Sequence, residues 1–179
     1  MKLGLEMIHE MSASEKIRPF TEMPSIIRNL NKAGVTVILA QGVFDIIHLG
    51  HVGYLRASRN AVSTKSLLVV GVENDASVSR NKGSGRPINN LTERLDILAE
   101  FMSTGLVFAY EDEPDYTKPT EYIARYKALG PALISVPSWD PHKDLKTYQA
   151  RKANSHLALV DYKHTNSTTQ MLRKVGYER

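Results

Sequence analysis

The sequence predicts an α/β fold: a mainly parallel five-stranded sheet in a three-layer α/β/α sandwich. Three observations carry this. Short runs rich in Val, Ile and Leu recur at 35–40, 66–72, 106–110, 132–136 and 157–160. Segments with apolar residues at helical spacing lie between them, and alternating strands and helices imply parallel strands joined by crossover helices. The run at 66–72 is nearly continuous, as suits a strand buried on both faces.

Taken in order, residues 1–23 have weak periodicity and read as an N-terminal extension ahead of a domain at 24–179. The Met and Leu residues of this extension would pack on the surface or against a partner chain. From Pro24, Ile26, Ile27 and Leu30 share a helical face, and Gly34 stops that helix before the first strand. Val52, Leu55 and Val62 mark a second helix over about 52–61. The polar stretch 73–90, with Gly83, Gly85 and Pro87, reads as one long functional or mobile loop. Leu91, Leu95, Leu98 and Met102 set the next helix, capped by Asn90 and Glu93 and ended by Gly105. An acidic loop covers 111–115, and Gly130 closes a helix over 119–128. A turn-rich loop at 137–141 precedes a helix at 145–152. Ser167 and Gln170 form a capping box for a last helix reaching about residue 175.

Composition narrows the function classes. At 179 residues, 42% hydrophobic and 23% charged, the chain has the makings of one globular domain. It contains no cysteine, which excludes disulfides and thiolate metal sites. No apolar run is long enough to span a bilayer, and the first ten residues lack an uninterrupted signal-peptide core. The expectation is a cytoplasmic protein without membrane attachment. A net charge of +4 suits a polyanionic ligand, or simply a solvated basic surface. No Lys/Arg block with interleaved aromatics points to nucleic acid.

The chemistry concentrates in Gln41-Gly42-Val43-Phe44-Asp45-Ile46-Ile47-His48-Leu49-Gly50-His51, between the first strand and the second helix. A helix N-terminus there offers unpaired N–H groups and a positive dipole end to an anion. Gly50 lets a ligand approach the backbone closely. His48 and His51, three apart, are two imidazole donors. They could instead be surface histidines, and two imidazoles without a third ligand make a poor metal site, so no metal centre is expected. Phosphate binding fits best. Ligands of parallel sheets sit outside the carboxyl ends of the strands, where this stretch, the 73–90 loop, the Trp139 loop and the Ser167 segment all lie.

With these residues the sequence resembles the cytidylyltransferase-like branch of the nucleotidyltransferases, a Rossmann-like fold with an H-x-G-H signature. Gly42 to His51 matches the pattern G-x-F-D-x-x-H-x-G-H. Asn74-Asp75, Lys82-Gly83, Arg86-Pro87 and Arg94 are similar to a further N-D, K-G, R-P, R series, and Asn166-Ser167-Thr168-Thr169 to a late S-T-T motif. The resemblance covers about 24–175. Within the branch, the Arg86-Pro87-Ile88-Asn89 region is most similar to the nucleotidylyl domain of ADP-heptose synthase, then to glycerol-3-phosphate cytidylyltransferase. The family's loop after its fourth strand is Gly-rich and acidic; here it reads Pro137-Ser138-Trp139-Asp140.

The resemblance implies an enzyme that transfers CMP or AMP from CTP or ATP, with Mg²⁺, to a phosphorylated sugar or polyol and releases pyrophosphate. His48, His51 and Lys82 would be catalytic. Gly42, Val43, Phe44, Gly50, Arg86, Arg94, Ser167, Thr168 and Thr169 would bind the nucleotide. Asp45, Asp75 and Trp139 would face the substrate. Each has a plainer reading beside it: Lys82, Arg86 and Arg94 as surface or helix-pair cations, Asp45 as a turn cap, Ser167 as a helix cap, Trp139 as packing. His142, His156 and His164 read as surface or structural. A homodimer is expected from the same likeness. The alternative is a non-catalytic nucleotide-binding module with a degenerate acceptor loop. An aminoacyl-tRNA synthetase fragment shares the H-x-G-H spacing and ranks last, because the chain is short and shows no tRNA-binding appendage.

Overall fold

The computed structural model describes residues 4–63, 65–112, 118–163 and 167–176. Five parallel strands, β1 (Thr36–Gly42), β2 (Ser66–Val72), β3 (Leu106–Ala109), β4 (Leu133–Pro137) and β5 (His156–Val160), lie in the order β3-β2-β1-β4-β5. The order reverses at β1, which pairs with β2 on one side and β4 on the other. A crevice therefore opens beyond the carboxyl end of β1, the usual place for a ligand in such a sheet.

Side-chain alternation along β1 divides the core into two layers. Val37 and Leu39 pack with Ile26, Ile27 and Leu30 of α3 (Met23–Lys32), Tyr126 and Leu129 of α7 (Pro119–Leu129) and Ala150 of α8 (Lys143–Lys152). Ile38 and Ala40 face Tyr54 and Leu55 of α4 (Leu49–Arg59) and Leu98 and Ala99 of α6 (Leu91–Ala99). β2 is buried at every position, as its continuous apolar run requires. The expected caps are present: Asn90 with Glu93, Ser167 with Gln170 on α9 (Thr168–Lys174), and left-handed Gly130 behind α7.

The segment ahead of residue 23 packs on its own domain, one of the two placements expected for it, and three other expectations need correction. Ile8, in α1 (Leu5–His9), is fully buried in the first core layer, with Leu5, Met11 and Phe20 against it. Beyond α2 (Ala13–Lys16), Ile17 pairs in parallel with Val107, and the Arg18 amide donates to Val107 O at 2.8 Å. The 73–90 stretch is not all loop: α5 (Asp75–Lys82) occupies its first half, started by Asn74, whose side chain accepts from Ser77 N. It buries only Ser77 and Val78, so it has no apolar stripe to betray it. α4 begins at Leu49, earlier than the periodicity suggests, because His48 is its N-cap. α6 stops at Ala99, leaving Met102 outside the helix and 99% exposed. The chain must leave the helix there so that Gly105 can donate to Leu68 O at 2.9 Å. A Cβ on Gly105 would lie 2.3 Å from Leu67 Cδ1.

Candidate functional site

The turn from β1 into α4 is shaped by its own aromatic residue. Phe44 adopts a left-handed φ of 52°, uncommon for a bulky residue, and is buried. Its ring lies beneath the turn: a Cβ on Gly42 would come within 3.2 Å of Phe44 Cε2, so Gly42 is small to make room for the ring. The ring also supports His51, with centroids 5.3 Å apart. His51 in turn stacks on His48 at 4.0 Å and 28°. His48 Nδ1 accepts from the Gly50 amide at 3.1 Å. In the neutral ring the proton must then sit on Nε2, leaving that edge as a donor.

A cavity of about 300 Å³ opens over this corner, lined by Val43, Gly50, His48, His51, Lys82, Arg86, Tyr162 and Ser167 to Thr169, with Phe44 and Asp45 at its base. Lys82 arrives as the last residue of α5, a helical position where a flexible loop was expected. Asp45 is 1% exposed and is an internal clasp. Its carboxylate accepts from Arg86 Nε at 2.6 Å and from the Ile88 and Asn89 amides at 2.8 and 2.9 Å. Asn89 Nδ2 returns a bond to Asp45 O at 2.7 Å. Asp45 therefore holds the 86–89 loop over the corner, and its cap-like reading describes it better than substrate contact. The Ser167 hydroxyl accepts from Gln170 N, and Thr168 Oγ1 reaches Ile46 O at 3.5 Å, which ties α9 to the same turn. Asn166, His164 and residues 113–115 of the acidic loop lie outside the described residues. His142 is the N-cap residue of α8, and His156 opens β5 on the exposed side.

Four of the expected residues are not in that lining: Gly42 borders an adjoining cavity, and three others lie elsewhere. Arg94 is completely buried and donates to Asn89 O at 3.1 Å, Val43 O at 2.6 Å and Asp75 Oδ1 at 2.6 Å. It knits the motif turn to the starts of α5 and α6 from below, where a phosphate would have to displace a carbonyl to meet it. Asp75, its partner, also accepts from Leu91 N at 3.1 Å. Trp139 leans on Tyr162 at 4.5 Å and is 45% exposed, outside the cavity lining.

A second cavity, about 220 Å³, adjoins the first across Val43, Phe44, His51 and Tyr162. Gln41, Gly42, Tyr54, Asp140 and Lys146 line it further, with the end of β4 from Ile134 to Pro137. Sequence reasoning passed over most of these. Tyr162, two residues beyond β5, is the shared wall; a Cβ on Gly53 would meet its Cδ2 at 2.9 Å. The loop after β4 is held by Asp140, which accepts from His142 N at 2.8 Å and Lys146 Nζ at 2.6 Å. Burial opposes the charged form of Asp140, but these donors outweigh it and hold the carboxyl below the usual range. Burial raises the Tyr54 and Tyr162 hydroxyls, so both stay protonated at neutral pH.

A parallel sheet with a cationic, histidine-bearing corner at its switch point defines an α/β protein whose crevice opens beyond the carboxyl ends of its strands. Residues 39–177 match the family model described as cytidylyltransferase-like, and the chain belongs to that family. The chain is 30% identical over 168 residues to the bifunctional protein HldE of Sulfurimonas denitrificans, covering 94% of this chain and 32% of that protein. It is 38% identical over 109 residues to HldE of a Nitratiruptor species, covering 61% of this chain and 23% of the relative. The chain thus spans about a third or less of these relatives. Among solved structures, a lipopolysaccharide core biosynthesis protein from Thermoplasma volcanium GSS1 aligns with a TM-score of 0.55 at 25% identity, covering 73% of this chain and 100% of that one.

Proposed function

We propose that the protein transfers a nucleotidyl group, CMP or AMP, from CTP or ATP to the phosphate of a phosphorylated sugar or polyol, with release of pyrophosphate. The observation that carries this reading is the convergence of His48, His51, Lys82, Arg86 and the α4 N-terminus on one cavity. An oxygen of the acceptor phosphate forms the new bond to the α-phosphorus, the α–β bridging P–O bond breaks, and its electron pair leaves with pyrophosphate. The attacking phosphate is already ionised at neutral pH, so the chain needs no general base. Its task is to align two anions and stabilise charge on the leaving oxygens. His48 Nε2, His51 and the α4 dipole suit the triphosphate, while Lys82 and Arg86 offset repulsion between donor and acceptor. Arg86 is oriented for this by the Asp45 clasp. The likeness to a lipopolysaccharide core biosynthesis protein supports a sugar phosphate as acceptor.

Magnesium enters this reaction with the triphosphate, as part of the substrate. The residues do not fit a resident magnesium site. Among the described residues no group of three or more His, Cys, Asp or Glu side chains could hold a metal ion, and the corner's carboxylate is enclosed by its own donors. A reaction drawing on CTP or ATP belongs in the cytoplasm; among the described residues no helix is long and apolar enough to cross a membrane. Pairing of two copies is part of the same reading.

The test is pyrophosphate release from Mg–CTP and Mg–ATP with a panel of sugar and polyol phosphates. Turnover with one nucleotide and one acceptor class is the expected result. Nucleotide binding with no turnover for any acceptor would replace the enzyme with a non-catalytic nucleotide-binding module.

A further inference from the structure

Gln41, the last β1 residue before the motif glycine, carries an amide fixed from both sides. Tyr110 OH donates to its Oε1 at 2.9 Å, and its Nε2 donates to Tyr126 OH at 2.6 Å. Both tyrosines are buried, and burial raises both hydroxyls, so each remains protonated. An amide has two N–H donors and two carbonyl lone pairs. One of each is engaged, and Gln41 also lines the cavity shared with His51. A donor and an acceptor locked side by side are the complement of a hydroxyl group, or of two adjacent ones.

The surroundings argue against a cationic guest. Tyr110 is one wall of an aromatic and carboxylate cage, which the chain fills itself. Arg125 is 3% exposed; its guanidinium sits 3.8 Å from the Tyr110 centroid and 5.4 Å from that of Tyr122. It bonds Glu73 at 2.6 and 3.0 Å and Asp112 at 2.9 and 2.8 Å. The features that attract an ammonium group, ring faces and carboxylates, here the buried Glu73 and the half-exposed Asp112, are thus engaged by an internal cation beside Gln41.

We propose that Gln41 is a specificity-determining residue that reads a hydroxyl of the acceptor and selects an uncharged polyhydroxylated phosphate ester over one bearing an ammonium group. The inference rests on the transfer reaction proposed above, in which that ester is the acceptor. It restricts the acceptor through chemistry separate from the phosphate corner: Tyr110 and Tyr126 position the amide, and Arg125 closes the alternative.

Binding tests it independently of turnover. Glucose 1-phosphate, glycerol 3-phosphate and phosphoethanolamine are titrated into the full chain by calorimetry, with and without a non-hydrolysable triphosphate, for wild type, Gln41→Ala and Tyr126→Phe. The wild type should bind one of the two hydroxylated esters at least tenfold more tightly than phosphoethanolamine. Gln41→Ala should lose about tenfold of that preference, the worth of one neutral hydrogen bond, with nucleotide affinity unchanged. Tyr126→Phe keeps the ring and loosens the amide. It should lose part of the preference, and it decides the matter if Gln41→Ala does not fold. A wild type that favours phosphoethanolamine, or that binds none of the three esters, overturns the proposal. So does unaltered preference in both variants. Preference that depends on Gln41 without any pyrophosphate release upholds the assignment and refutes the transferase reading alone.

Discussion

Replacing Arg94 by Met removes a guanidinium while keeping a long apolar stem, and it separates two readings of this residue. As a triphosphate ligand, Arg94 would matter for binding and little for stability. As the buried tie seen here, the reverse holds. Val43 O and Asn89 O would each lose a charged donor at 2.6 and 3.1 Å. Each carbonyl so stranded costs about 1–3 kcal/mol. The Asp75 carboxylate is 45% exposed, so losing that ion pair adds only about 0–1 kcal/mol after solvent screening. Part of the carbonyl loss relaxes, and the expected destabilisation is about 3–5 kcal/mol. Against a typical total of about 5–15 kcal/mol this is a large fraction. Urea unfolding reads it directly: with a slope of about 2 kcal/mol per molar, the midpoint should fall by about 2 M. Arg94→Lys should fall between, since an ammonium can reach some of the three acceptors without the planar fork. A midpoint within 0.5 M (~1 kcal/mol) of wild type, together with weakened triphosphate binding, would refute the tie and restore the ligand role.

Three further outcomes follow from the same geometry. His51→Ala should slow pyrophosphate release by about 10²–10³ and leave the urea midpoint near wild type, as single-turnover assays beside denaturation curves would show; normal turnover would remove the histidine from the chemistry. The Asp140 carboxyl is held low by Lys146 and the His142 amide against the cost of burial, so its stabilisation is present above the unfolded value, near pH 4, and is lost as pH falls through the lower folded value. Asp140→Asn should therefore lower stability at pH 7 and flatten its acid limb, and an unchanged limb would assign the acid sensitivity elsewhere. Gly71→Ala would set a Cβ 2.7 Å from Tyr110 Cε2 and 2.9 Å from Phe108 Cζ; overpacking of about 1–3 kcal/mol is expected, read as a lower melting temperature.

Much of the fold is legible in the sequence because each strand is an apolar run and two helices announce themselves by capping pairs. The corner between β1 and α4 is equally legible as a place in the fold, since its residues are nearly contiguous and strand, turn and helix follow one another along the chain. What stays hidden is held by partners distant in sequence. Gln41 is fixed by tyrosines 69 and 85 residues away, and nothing near it in the chain marks it. Arg94 is a lone cation in an apolar stripe, a pattern that does not tell a ligand from a buried tie. α5 escapes notice because a polar helix needs only Asn74 at its start and Val78 in the core. The short helices ahead of α3 lack the length to show a period, although Ile8 is as buried as any strand residue.

The pairing of Ile17 with Val107 gives the sheet two unequal borders. On the outer side of β3, Ile17 and the Arg18 amide meet Val107. Among the described residues, no strand pairs with the outer side of β5. Exposed strand edges invite further strands, and the bridge at Val107 shortens the length of β3 that is open to them.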